Sequence, residues 1–211
     1  MMSTVYRGIT LTEALQVVRT QKYEREERRY FLDGVVAKAV FGQGIYLVHD
    51  SEMAAQYAFC HAESEHDLAA VLRQELTFSN PMILHAGYSE RDLRRDALAW
   101  KFKDGHLPPD LLDHDTLHRI EKIGSVMKQY LLEHQFDGIT YHVNDDLIYS
   151  ISYFPESQIQ SIQIDFIFDI HELKHATVQM LRDRYKQNGH DRVPHALGDK
   201  GPDSKRQNPL L

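Results

Sequence analysis

Cysteine is almost missing: Cys60 is the only thiol in 211 residues. A lone cysteine excludes an internal disulfide and any thiolate cluster for zinc or an iron–sulfur centre; on its helix it reads as a small buried residue rather than a nucleophile. Apolar runs of the roughly 20 residues that a membrane span needs are missing too. The first residues show no basic stretch leading into an apolar one, so the expectation is a cytoplasmic protein with no secretory leader and no membrane partner. Positive charge is scarce, with 24 Lys and Arg against 31 Asp and Glu and a net charge of -7. That sign is opposite to the footprint of a general nucleic-acid binder. No internal repeat is present. What the chain has is ordinary globular composition, 42% hydrophobic and 26% charged, and a length suited to one hydrophobic core.

Periodicity places a strand over residues 4–8 and a helix entered at Thr10, with Ala14, Leu15 and Val18 on its apolar face. Residues 22–29 mix both charge signs within two turns and read as a solvated helix face. Gly42-Gln43-Gly44 punctuates the chain before the β-rich Ile45-Tyr46-Leu47-Val48, and Ser51 is placed to N-cap a helix through Phe59. Strands are expected over 71–78 and 82–84, divided by Asn80-Pro81. Residues 87–115 hold a helical stretch near 90–103 and a Pro108-Pro109 break, and read as a variable insertion. Leu117, Ile120, Ile123, Met127, Tyr130 and Leu131 then keep helical spacing through 116–135. Strands are expected over 136–141, 148–154 and 159–168. A last helix over 169–186 carries Ile170, Leu173, Met180 and Leu181, and the polar, aperiodic residues after Gly189 read as a mobile tail. The expected organisation is a domain over 1–168, a C-terminal helix over 169–188 and a tail over 189–211, of α+β class.

Singly, the short motifs are weak; their order is informative. Val5-Tyr6-Arg7-Gly8 comes first, then Phe41-Gly42-Gln43-Gly44-Ile45-Tyr46-Leu47 followed by Ala54-Ala55-x-Tyr57-Ala58, then Leu76-x-Phe78-x-Asn80-Pro81. Near the end stand Phe136-Asp137-Gly138-Ile139-x-Tyr141 and Tyr153-Phe154-Pro155-Glu156-Ser157-Gln158-Ile159. This succession, over about residues 4–165, resembles the ADP-ribosyltransferase superfamily, the fold of diphtheria-toxin-like and poly(ADP-ribose) polymerase catalytic domains.

The resemblance implies a split β-sheet core with flanking helices, NAD as substrate, release of nicotinamide, and a macromolecular acceptor, protein or nucleic acid. It implies that Tyr6, Arg7 and Gly8 of the first strand hold NAD, with the Gly8 backbone clamping the carboxamide and the Arg7 guanidinium pairing with pyrophosphate or ribose hydroxyls. Gly44 belongs to the same binding set, with Tyr46 and Tyr57 as rings lining the nicotinamide pocket. Losing nicotinamide leaves an oxocarbenium-like ribose that a carboxylate stabilises, and the family provides a Glu. Here the sequence departs, because aligning Ser157-Gln158-Ile159 with the family's strand places Ser150 where that Glu stands. Asp146 is the candidate substitute, so Arg7, Tyr46 and Asp146 form the expected catalytic set; Asp145 and Glu156 are the other nearby acids. The missing Glu argues against polymer formation. It leaves a mono-ADP-ribosyltransferase of toxin, effector or defence type, or a catalytically inactive module that binds NAD or ADP-ribose.

A rival motif is His171-Glu172-Leu173-Lys174-His175, an HExxH. On a helix two imidazoles at i and i+4 share a face and can bind zinc, with Glu172 activating water, which would make the chain a metallopeptidase. Lys174 places a charge inside the motif, and a third ligand would have to be His190, His195 or an Asp of the tail.

Overall fold

The computed structural model describes residues 2–24, 39–62, 68–103, 106–112, 116–144 and 146–187, with only the backbone at 60–62, 110, 112, 116 and 117. The charge-mixed stretch from residue 25 on, the Cys60 side chain, His190, His195 and the expected tail lie outside the described residues.

The architecture is α+β. A seven-stranded sheet runs in the order β4-β5-β6-β2-β1-β3-β7, from β1 (Met2–Thr10), β2 (Ile45–Val48), β3 (Leu68–Thr77), β4 (Pro81–Leu84), β5 (Gly138–Val143), β6 (Asp146–Ser152) and β7 (Ile159–Asp169). All pairings are antiparallel except β4 with β5. The helices are α1 (Leu11–Thr20), α2 (Ser51–Ala62), α3 (Glu90–Lys101), α4 (Pro109–Leu112), α5 (Thr116–Glu133), α6 (Pro155–Gln158) and α7 (Val178–Gln187).

The sheet is continuous in name but nearly divided. Nine residue pairs join β1 to β3 and four join β2 to β6, whereas β1 meets β2 at the single pair Tyr6↔Val48. Strand alternation sends successive side chains to opposite faces, and each face has its own cover. Val5, Ile9, Ile45, Leu47, Ala70, Leu72 and Leu76 turn toward α1 and bury Leu11, Ala14 and Val17. On the other face α2 lays Ala54, Ala55 and Ala58 over Val48, Val71, Phe166 and Phe168, while α3 and α5 bury Leu93, Ala97, Met127 and Leu131 over Ile139 and Ile151.

Three local expectations are corrected. Within the stretch read as a variable insertion, Leu93 and Ala97 of α3 have no exposed surface, so this helix is part of the core and not an addition outside it. A Ser89–Asp92 capping box starts that helix. The cap of α2 is Asp50 rather than Ser51: its Oδ1 accepts from the Glu52 and Met53 amides at 2.6 and 2.9 Å, which satisfies two of the orphan donors of the first turn. The expected helix over 169–186 is broken. Phe166, Phe168 and Ile170 are all buried, so the strand continues to Asp169, whose Oδ1 accepts from the His171 amide at 2.8 Å. One 3-10 turn (Glu172–Lys174) follows, and Thr177 Oγ1 caps a new helix by accepting from Met180 N at 3.3 Å.

Candidate functional site

The site forms where the two halves of the sheet almost part. On the face covered by α1, Arg7 of β1 is buried, donates from Nη1 to the Tyr46 carbonyl at 3.1 Å across the join, and sets its guanidinium 4.9 Å from the centre of the Tyr23 ring. The Tyr23 hydroxyl in turn hydrogen-bonds Gln74, which is 1% exposed. Ser150 and His49 share this face. Ser150 pairs with Leu47 and has no exposed surface, and its Oγ lies 2.9 Å from His49 Nε2. Burial and, less strongly, the neighbouring His142 ring bring His49 down to about 4, so it is neutral at physiological pH.

The opposite face carries aromatics. Cross-strand partners form one row over five strands: Leu84↔Tyr141, Tyr141↔Tyr149, Tyr149↔Val48, Val48↔Tyr6. The Tyr141 and Tyr149 rings stack at 4.8 Å with 12° between their planes, and Phe41 tilts against Tyr149 at 6.2 Å. Tyr149 packs against both the α2 cluster and the α3–α5 cluster, which places it at the seam between them. Tyr57 of α2, 51% exposed, and Glu90 of α3 lie close enough for their charges to act on the Tyr149 phenol. Burial first, then the Glu90 charge and the Tyr141 and Tyr57 phenols, hold Tyr149 well above the ordinary tyrosine range. Among the described residues no hydrogen bond engages the hydroxyls of Tyr57, Tyr141 or Tyr149, so they are left for water or a ligand.

Several motif residues turn out to be fasteners. Gly42 sits at φ 80, a left-handed conformation, and a Cβ there would lie 2.7 Å from the Gly124 carbonyl of α5. Tyr46 locks that loop by donating from its hydroxyl to Gly42 O at 2.9 Å and accepting from Phe41 N at 3.1 Å; its ring packs with the α3–α5 cluster. Gly44 is pressed against Ile151 and Tyr153. At Gly8 a Cβ would stand 1.8 Å from the Ala54 carbonyl, so α2 can approach β1 only because that side chain is missing. Asp137 accepts from the Ser79 and Asn80 amides at 2.6 and 3.1 Å. Gln158 accepts from Ser152 Oγ at 2.6 Å and Phe154 N at 3.1 Å while donating to Asp137 O at 2.8 Å.

Of the residues expected from sequence, Gly8 and Tyr46 lie opposite each other by the Tyr6↔Val48 register, on the face that also carries Tyr6, Tyr57 and Tyr149. Arg7 and Ser150 point to the other face. Asp146 opens β6 as an exposed residue at the tip of the β5–β6 hairpin, four residues from Ser150 and about 13 Å along the strand at roughly 3.3 Å per residue. The His171–His175 segment is a 3-10 turn, so the shared helix face required of paired zinc ligands is lost, and Glu172 accepts from Arg184 Nη1 at 2.9 Å. No group of three or more His, Cys, Asp or Glu among the described residues is placed to hold a metal ion. Sequence reasoning passed over Tyr149, Glu90 and His49. The alternation of Tyr149 with Ser150 was visible, but which of the two faces the tyrosines depends on register, and Glu90 reaches the site only through a tertiary contact.

No helix among the described residues is long and apolar enough to cross a membrane. No family model matches the chain, and no curated protein does. A search of solved structures finds the MbcT–MbcA toxin–antitoxin complex of M. tuberculosis, at 14% identity over 87% of this chain and 90% of that one, with a TM-score of 0.37. A likeness at that level identifies neither fold family nor function.

Proposed function

We propose that the protein is an NAD-dependent mono-ADP-ribosyltransferase whose cleft lies at the near-division of the sheet. The observation that supports this most is the joining of β1 to β2 at one residue pair, with Gly8, Tyr46 and Tyr57, the residues that the superfamily resemblance assigns to nicotinamide, on one face of that join. Tyr57 and the stacked tyrosine pair offer flat, electron-rich surfaces to a cationic pyridinium, while Arg7, buried on the opposite face, braces the join through the Tyr46 carbonyl.

In the reaction the bond from ribose C1′ to the nicotinamide nitrogen breaks and its electron pair leaves with nicotinamide. A nucleophile on a protein or nucleic acid bonds to C1′ and releases its proton to solvent. Because the products include free nicotinamide, the test is direct: purified protein with NAD labelled in the adenine half, mixed with cell lysate, is expected to release nicotinamide and label a macromolecule. Neither nicotinamide release nor label contradicts the proposal.

A second reading, a non-catalytic NAD or ADP-ribose reader, is favoured by one observation, that β6 presents the phenol of Tyr149 rather than a carboxylate at the seam between the α2 and α3–α5 clusters. Calorimetry that finds NAD binding without turnover selects it. A toxin or effector role belongs to either reading and is tested by expression, which is expected to arrest growth and deplete NAD only in the catalytic case.

A further inference from the structure

We propose that Glu90, delivered by the first turn of α3, is the carboxylate that the site presents to the substrate's cationic ring and to the ribose carbon from which that ring departs. The proposal deepens the NAD-cleaving reading and rests on it.

Its geometry is set by three features. Leu84, the last residue of β4, begins the row that continues through Tyr141 and Tyr149. The chain then reverses at once, with His85 and Tyr88 exchanging backbone hydrogen bonds of 3.0 and 3.1 Å, so the next helix must start beside that row. The Ser89–Asp92 capping box then fixes the first turn. Helical spacing finally decides which face carries Glu90: residues 90, 93 and 97 share a face, and Leu93 and Ala97 on it are fully buried in the cluster that α5 forms with Ile139 and Ile151 of the sheet. Glu90 therefore extends that face by one turn to its rim, where its side chain is 37% exposed and open to a ligand. Its effect on the Tyr149 hydroxyl is the electrostatic sign of the same proximity.

The other acids close by are committed. Asp50 caps α2, Asp92 closes the capping box, and Asp96 accepts from the Tyr88 hydroxyl at 2.9 Å. Glu90 accepts from Arg94 Nη2 one turn later, which holds the carboxylate in place while its second oxygen is left for another partner. A negative charge beside stacked phenol rings suits a pyridinium cation, and as nicotinamide leaves, the same carboxylate faces the positive charge that develops on the ribose.

An acid in the first turn also favours a helix simply by its charge, so the test needs a readout that a structural role does not move. Binding of 1-methylnicotinamide, a cation, and of nicotinamide, its neutral counterpart, is measured on wild type, Glu90→Gln and Glu90→Asp, together with nicotinamide release from NAD. Glu90→Gln is expected to weaken the cation about five- to tenfold, leave the neutral ring within about twofold, and lower kcat for nicotinamide release by about 100-fold or more with KM little changed. Glu90→Asp is expected to restore part of kcat. Wild-type turnover that is unchanged in Glu90→Gln overturns the assignment while the NAD reading stands. A wild type that binds neither probe and releases no nicotinamide overturns both.

Discussion

At the join of β1 and β2 the two faces of one sheet follow opposite rules. Toward α1, Arg7, His49, Ser150 and Gln74 are polar groups held by other parts of the protein. Toward α2 and α3, Tyr57, Tyr141 and Tyr149 are large rings with hydroxyls that no protein hydrogen bond engages among the described residues. The difference teaches that a strand position means little without its face. Ser150 and Tyr149 are neighbours in the chain, yet one belongs to the fastened side and the other to the open side. A one-residue slip in alignment moves an argument from one to the other.

Substitutions can sharpen this contrast, and the largest effect falls where α2 is pressed onto β1 on the tyrosine face. Gly8→Val drives a side chain into the Ala54 carbonyl, and since that neighbour is backbone it cannot swing aside. The variant is expected to lose about 3 kcal/mol or more in denaturant unfolding, or not to fold. Gln158→Ala removes three hydrogen bonds at a site 4% exposed and is expected to cost about 2–3 kcal/mol in the same measurement.

The fastened face also predicts an acid weakness. His49 has a folded value of about 4 against an ordinary 6.5, so between those values the unfolded chain binds more protons and stability falls as pH falls. Allowing for solvent screening of a partly exposed ring, the loss is about 1–2 kcal/mol. It is expected in wild type and not in His49→Asn, with thermal unfolding from pH 7 to pH 4 as the check. At the small end, Tyr57→Ala on the open face is expected to shift stability by no more than about 0.5 kcal/mol while weakening NAD binding several-fold. A large loss of stability there would mean that the tyrosine is a packing residue after all.

Much of the fold could be read from residue patterns, because local rules set it. The 3.6-residue spacing of Ile120, Ile123, Met127 and Leu131 yields α5, and Ile45 to Val48 forms β2 with the expected bounds. Failures came where a tertiary partner decides. Residues 90–101 read as an insertion because the sequence does not say that Leu93 and Ala97 meet α5 and the sheet. The HExxH stretch read as helix because Ile170, Leu173 and Leu181 keep helical spacing, whereas the alternation of Phe166, Phe168 and Ile170 carries the strand to Asp169 and Thr177 begins a separate helix.

Of the candidate site, the positions of motif residues were legible and their roles were not. Gly8 and Tyr46 were singled out from the motifs, and the structure places them on one face of the join, Gly8 under α2 and Tyr46 locking the Phe41–Gly42 loop. Gly42, Asp137 and Gln158, which made the motifs recognisable, serve here as turn, bracket and clamp. Motif order therefore reports the scaffold more strongly than the chemistry. The acid proposed above was not legible, since Glu90 is 60 positions away from Ser150 in the chain and is set near Tyr149 by helix packing.

The most direct measurement is nicotinamide release from NAD by Tyr149→Ala and Ser150→Ala, each compared with wild type at equal folded concentration. If the substrate's ring lies on the tyrosine face, the first loses at least about tenfold in kcat/KM and the second stays within about twofold. Retention of activity in Tyr149→Ala with loss in Ser150→Ala would contradict the placement of the site on that face.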